Sequence, residues 1–285
     1  MIIIKFFSSF GSSEGCIEAY TRVSELVKDP LFNVKYRFTL EDDYTHAILL
    51  NTAMPALKPN VPKENVIGLA FEPINFLGLT IRFVDYAKKN IGLYYIGQKA
   101  DLPLPFTEHF AYMWHTTPLP TIPIKTKNMS LMISTKLQTS GHQYRHMLCK
   151  HILSSDLPID IWGNGCKFYT NNNKKDTRIK GPFESKEPYL DYRFHIAIEN
   201  VRSPHYFSEK IMDPLICSTV PVYLGCENID TYFPNSVIHL SGDIQKDMNL
   251  LTDICRNPDK YSNISVKVEE VKQTISFTNI VKQFL

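Results

Sequence analysis

The 285-residue sequence has no C-x-x-C pair, no complete G-x-G-x-x-G or P-loop, no D-x-D and no run of basic residues. Each absence removes a class of reading. Its six cysteines (Cys16, Cys149, Cys166, Cys217, Cys226, Cys255) are dispersed, which speaks for free buried thiols in a reducing compartment rather than a disulfide framework or zinc site. A formal charge of +2 is too small to argue for nucleic acid or an anionic membrane. Positive charge for an anionic ligand must therefore be local. No apolar stretch approaches the ~18 residues needed to cross a bilayer. The N-terminus, MIIIKFFSSFG, carries Lys5 inside a short apolar run and lacks the cleavage site of a signal peptide. The expectation is a cytoplasmic chain of viral or bacterial origin with no membrane span, in which the sequons at Asn128 and Asn263 carry no meaning.

What is present is an alternation of buried-type strands and amphipathic helices over a length suited to two domains of roughly 100 to 150 residues each. Residues 2–7 predict a first strand, followed by a Gly/Ser loop and a helix over 16–27. Residues 34–39, 45–51 and 65–71 predict further strands, and 82–96 carries more strand-like pattern. Gly11 and Gly15 do not complete a nucleotide motif, and the acids Glu41, Asp42 and Asp43 read as a solvated turn before a strand. Glu72 follows the strand at 65–71, at the carboxyl end where open α/β sheets bind ligands, and is a candidate catalytic carboxylate or a turn residue. Phe106, Phe110, Tyr112 and Trp114 form an aromatic cluster suited to a core or a sugar floor.

Three prolines in residues 116–128 mark a domain linker. The alternation then resumes. Strands are expected at 130–134 and 159–162, a helix over 143–153 with Arg145 in its first turn, and a polar loop over 166–186. An arginine there opposes the helix dipole unless an anion compensates. Further on, 236–240 predicts a strand, Asp243 an acidic turn and 265–285 a helical tail. The stretch Phe194 to Gly225 (FHIAIENVRSPHYFSEKIMDPLICSTVPVYLG) reads as strand, loop, helix and strand. A helix starting near Ser203-Pro204 would put Tyr206, Glu209 and Lys210 on one face, with Phe207, Ile211 and Leu215 beside them on the apolar face. Such a helix end suits a phosphate-bearing ligand.

Ile198-Glu199-Asn200, Tyr206, Ser208-Glu209-Lys210-Ile211, Val220-Pro221-Val222 and Gly225 together resemble the donor-binding signature of the α1,3-fucosyltransferases, glycosyltransferase family ten. Val201 stands where serine is usual and Ser208 where threonine is usual. Residues 130–134, Arg145 and Ile159 to Gly163 resemble the start of the family's donor domain, and Phe71-Glu72 with Asp85-Tyr86 its acceptor domain. The resemblance implies a glycosyltransferase B-type α/β fold, two Rossmann-like domains facing a cleft. The expected boundaries are 1–120 for the acceptor, 121–265 for the GDP-sugar donor and 266–285 for a tail packing back on the first domain. It implies inverting transfer of fucose from GDP-fucose to a glycan hydroxyl, with an α1,3 linkage and no required metal cofactor. Arg145 and Lys210 resemble the phosphate-binding pair; Asn200, Tyr206 and Glu209 resemble the residues holding ribose and fucose. Glu209 can also stabilise positive charge at the sugar, and Glu72 matches the proposed general base. The same fold with another GDP-sugar donor, or an inactive nucleotide-sugar-binding module, are the alternative readings.

Overall fold

A computed structural model describes residues 1–112, 119–170 and 176–283. Trp114, the first residues of the expected linker (116–118) and part of the expected polar loop (171–175) lie outside the described residues. The chain divides into two compact units, one comprising Met1–Thr117, Ser203–Tyr206 and Lys272–Leu285, the other Pro118–Arg202 and Phe207–Val271.

The first unit contains β1 (Ile2–Ser8), α1 (Ser13–Leu26), β2 (Tyr36–Phe38), β3 (His46–Leu50), β4 (Val66–Leu69), α2 (Ile74–Leu77), α3 (Ile81–Asn90), β5 (Leu93–Ile96) and β6 (Phe106–Glu108). Among the described residues these strands form a six-stranded sheet in the order β2-β1-β3-β4-β5-β6, with every ladder parallel. A parallel sheet must be covered on both faces, which is why β3 and β4 read as continuous apolar runs. Residues 82–96 depart from the strand-like expectation: most of the stretch is helix α3, and only its end is β5. Thr80 caps that helix through its Oγ1, which accepts from the Phe83 amide at 3.1 Å. Phe83 and Ala87 are buried at helical spacing, so the period is 3.6 and not 2. Phe106, Phe110 and Tyr112 are buried, which makes the aromatic cluster core as far as it is described. Two of the three acids of the 41–43 turn have basic partners: Asp42 pairs with Lys5 at 2.8 Å and Asp43 with Arg37 at 2.5 Å.

The second unit runs β7 (Lys127–Met132), α4 (Ser140–Leu153), β8 (Ile159–Trp162), β9 (Ile179–Gly181), α5 (Glu187–Leu190), β10 (Tyr192–Ile198), α6 (Glu209–Ile216), β11 (Val220–Leu224), β12 (Ile238–His239) and α7 (Ile244–Arg256). Its described strands form a second parallel sheet, in the order β12-β11-β10-β7-β8-β9. β7 leads to β8 on one side and is flanked by β10 on the other, so the strand order reverses at the β7–β10 pair. In doubly wound sheets that reversal opens a crevice beyond the carboxyl ends of the strands. Val222, Ile196, Leu131 and Ile161 from neighbouring strands, with Leu148 and Ile152 of α4, are fully or almost fully buried and form the core beneath it.

The tail is not one helix. It holds α8 (Val268–Thr274) and α9 (Phe277–Ile280), separated where Ser276 turns extended and caps α9 by accepting from the Asn279 amide. In the first unit Phe277 meets Phe6, Tyr20, Tyr36 and Phe38, with ring centroids 5.1 to 5.9 Å apart. All six cysteines are free, and all but Cys255 are buried. Among the described residues no helix is long and apolar enough to cross a membrane.

Candidate functional site

The crevice at the strand reversal of the second unit is a pocket of about 390 Å³. Four loops and two helix starts build it, with Phe183 coming from the loop after β9. Ile133 to Lys136 follow β7, Gly163 and Asn164 follow β8, and Asn200 follows β10. His142 and Arg145 come from α4, Glu209 and Lys210 from α6. Lys136, Arg145 and Lys210 thus face a single carboxylate, Glu209, which gives the pocket a net positive lining. Gly163 has φ +100°, and a Cβ there would lie 2.3 Å from the Ile133 carbonyl oxygen. Only glycine lets the β8 loop approach the β7 loop so closely.

Helix α6 starts later than the sequence pattern implies. Its cap is Ser208, not Ser203, and Tyr206 and Phe207 precede it. His205 has φ +57°, a left-handed conformation through which a right-handed helix cannot run. Ser208 is held instead by Glu199, whose two carboxylate oxygens accept from the Ser208 amide at 2.9 Å and its hydroxyl at 2.6 Å. Glu209 and Lys210 are therefore the first two residues of the helix, where their backbone amides and the dipole favour an anion. Tyr206 is counted with the first unit and does not line this pocket.

Lys210 lies 2.8 Å from Glu209 and 3.8 Å from Glu199. Burial works to lower its pKa, but the two carboxylates outweigh burial and hold the ammonium above the ordinary lysine value. Burial also pushes the Glu199 carboxyl up, opposed chiefly by the Lys210 charge. Both oxygens of Glu199 accept hydrogen bonds, the arrangement of an ionised carboxylate, so the pair carries opposite charges at neutral pH.

Arg145 is also placed differently from the sequence expectation. Thr139 caps α4, so Arg145 is the sixth helical residue and lies beyond the first turn, where an opposing dipole has faded. What marks it is burial. The guanidinium, in a residue only 5% exposed, donates from Nε to the Gly141 carbonyl at 3.2 Å and from Nη2 to Asn200 Oδ1 at 2.6 Å. Arg145, Asn200, Glu209 and Lys210 are thus gathered on one pocket. Glu72 is not in this pocket's lining; it is an exposed residue in the loop between β4 and α2 of the first unit.

Several residues of the site carried no assigned role in the sequence reading. Glu199 stands inside the signature and proves to be the anchor of Ser208 and Lys210. Gly141 donates its amide to the Asn200 carbonyl at 3.0 Å and leaves no room for a side chain. His142 sits at the third helical position with Thr139 as cap, the T-x-x-H spacing of a capping box, and that spacing was the available signal.

The sequence profile of the family described as glycosyltransferase family 10 (fucosyltransferase), C-terminal part, matches residues 122–266, just over half of the chain. The chain belongs to glycosyltransferase family 10. The family 10 match covers β7 through α7 and thus every residue lining the pocket. The chain is 44% identical over 108 residues to α-(1,3)-fucosyltransferase B of Drosophila melanogaster, covering 34% of this chain and 22% of that protein. It spans about a quarter of the length of the curated relatives it matches. A crystal structure of α1,3-fucosyltransferase with GDP-fucose superposes with a TM-score of 0.57 at 12% identity, covering 99% of this chain and 89% of that one. An α-glucosyltransferase in complex with UDP and DNA superposes with a TM-score of 0.56 at 10% identity, covering 96% and 94%. At such identities the likeness is one of fold: two parallel-sheet α/β domains of glycosyltransferase B type.

Proposed function

We propose that this family 10 chain transfers fucose from GDP-fucose to a glycan hydroxyl, with inversion at the anomeric carbon and an α1,3 linkage. The observation that carries the proposal is the convergence of Arg145, Asn200, Glu209 and Lys210 on one positively lined pocket at the strand reversal. Transfer from a nucleoside diphosphate needs the leaving diphosphate stabilised, positive charge at the sugar tolerated and the acceptor proton removed. Arg145, fixed by Gly141 and Asn200, and Lys210, fixed by Glu199 and Glu209, are cations whose orientation is set before the donor arrives. Preorganised charges of this kind favour the transition state, in which charge builds on the bridging oxygen of the diphosphate. In this reading they need no metal, in keeping with a sequence that lacks D-x-D.

Glu209, half-exposed at the start of α6, is proposed to accept sugar hydroxyl protons and to balance positive charge developing at the anomeric carbon. Asn200 and Tyr206 are proposed to hold ribose and fucose. Glu72 is proposed as the base. It takes the acceptor proton as the acceptor oxygen bonds to the anomeric carbon and the bond to the diphosphate oxygen breaks, releasing GDP.

The test has two arms. Calorimetric titration with GDP-fucose, GDP-mannose and UDP-glucose should give tightest binding for GDP-fucose; tighter binding of another donor sinks the fucose assignment. Labelled GDP-fucose is then offered with a panel of glycans, and transfer identifies the acceptor and linkage. Normal GDP binding with neither transfer nor donor hydrolysis would make the chain a nucleotide-sugar-binding module.

A further inference from the structure

We propose that His142 is a neutral hydrogen-bond donor to the diphosphate of the bound nucleotide, and that Thr139 fixes the tautomer that makes it one. The proposal rests on the donor reading of the pocket and adds a ligand residue outside the signature residues.

The capping box decides which nitrogen carries the proton. Thr139 Oγ1 accepts from the His142 amide at 3.2 Å, which leaves the hydroxyl proton free to be donated to His142 Nδ1, 2.6 Å away. The Thr139 backbone amide also points at Nδ1, at 3.3 Å. An N–H cannot accept, so Nδ1 must be an acceptor and the ring proton must sit on Nε2. Among the described residues none hydrogen-bonds Nε2, while the side chain lines the pocket with Arg145 and Lys210. The box that caps α4 thereby leaves the Nε2–H of a residue in the pocket lining without a partner among the described residues, and we assign the bound diphosphate as its acceptor.

Protonation is resisted twice over. A second proton would have to sit on Nδ1, against the Thr139 amide. Burial lowers the basicity of the ring, and so do Arg145, Lys210, Lys136 and His146, the charged and titratable groups around it; together they bring its pKa to about 4. His142 therefore stays a neutral donor across the physiological range, and its contribution to diphosphate binding does not fade as pH rises through neutrality. A charged histidine would bind the anion more strongly but would lose that ability near pH 6.5.

Two variants separate donation from capping. His142→Ala loses both the cap partner and the donor; Thr139→Ala loses the cap hydroxyl and keeps the imidazole. Binding of GDP and of inorganic pyrophosphate is measured for each, with unfolding midpoints taken alongside. The expected result is a loss of about tenfold or more in affinity for both anions in His142→Ala and less than about threefold in Thr139→Ala. Nitrogen-15 NMR of the wild-type protein should show His142 protonated on Nε2 only between about pH 6 and pH 8. Equal losses in the two variants, unchanged affinity in His142→Ala, no binding of either anion, or a proton on Nδ1 would overturn the proposal. Pyrophosphate binding that depends on His142 without any preference for GDP over UDP would instead remove the GDP-sugar reading and leave His142 as a diphosphate ligand.

Discussion

Replacing Gly141 by alanine tests the positioning of the site most directly, because one methyl group sets two effects against each other. Alanine is the better helix former by up to about 1 kcal/mol, and Gly141 is the second residue of α4. The added Cβ, however, would lie 1.8 Å from the Glu199 carbonyl oxygen and 2.9 Å from the carbonyl carbon and Cα of Asn200. These are backbone atoms at the end of a central strand and cannot rotate aside, so the start of α4 has to withdraw by about an ångström or more. Withdrawal breaks the bond from the Gly141 amide to the Asn200 carbonyl and stretches that from Arg145 to Asn200 Oδ1. Overpacking costs about 1–3 kcal/mol and each lost hydrogen bond about 1 kcal/mol, so the steric term outweighs the helix propensity. Gly141→Ala should lower stability by about 2 kcal/mol or more, read as a fall in the urea midpoint. With Arg145 displaced, GDP affinity should also fall by about tenfold or more.

Gly15 is the internal control. It too lies in the first turn of a helix, but a Cβ there would meet only Ser12 Oγ at 3.5 Å, an ordinary contact. Gly15→Ala should therefore be neutral or stabilising by up to about 1 kcal/mol. If Gly141→Ala behaved like Gly15→Ala and bound GDP as the wild type does, the close approach of α4 to Asn200 would not be what positions Arg145.

Removing either proposed phosphate ligand, by Arg145→Ala or Lys210→Ala, should weaken GDP binding by about tenfold or more in calorimetry. Unaltered affinity in both would place the anion elsewhere. Glu72→Gln should leave GDP affinity nearly intact while lowering the transfer rate by ~10² to 10⁴. Unchanged turnover would point to another base, with Glu108 and His109 next in line. Burial holds His195, bonded through Nδ1 to Ser130 Oγ, at a pKa of about 3. The folded protein therefore refuses a proton that the unfolded chain accepts below about pH 6.5, so this stability is present above that pH and is lost as pH falls toward 3. At about pH 5 the loss from this one group is about 2 kcal/mol, and His195→Gln should flatten the dependence of the unfolding midpoint on pH between 6.5 and 5.

Much of the fold was legible because buried parallel strands are continuous apolar runs. Residues 2–7, 45–51, 65–71, 130–134 and 159–162 each overlap a strand of the structure. The stretch at 82–96 misled because Tyr, Val and Phe favour strands locally, whereas the burial of Phe83 and Ala87 on one face obeys the helical period. The tail misled for the opposite reason: its residues suit a helix, but Ser276 turns extended and starts α9 afresh.

The lining of the candidate pocket was legible in part by residue and not by geometry. Asn200, Glu209 and Lys210 could be picked from the signature, yet the helix bearing two of them could not be started correctly. What starts it is a contact from nine residues back, the Glu199 carboxylate on Ser208, and a left-handed backbone at His205, a conformation uncommon for any residue but glycine. Arg145 shows the same limit. The sequence pointed to an anion through an unfavourable dipole, whereas the structure removes Arg145 from the first turn and supplies a different reason, a buried guanidinium aimed by Gly141 and Asn200. In both cases the residue stays on the pocket despite an error in the local structure because its side chain is tied to a strand end. Glu199 and Asn200 follow β10 directly, and each orients a cation contributed by a helix. A shift in where α4 or α6 begins therefore moves a label along the helix but leaves the cation tied to the same strand end.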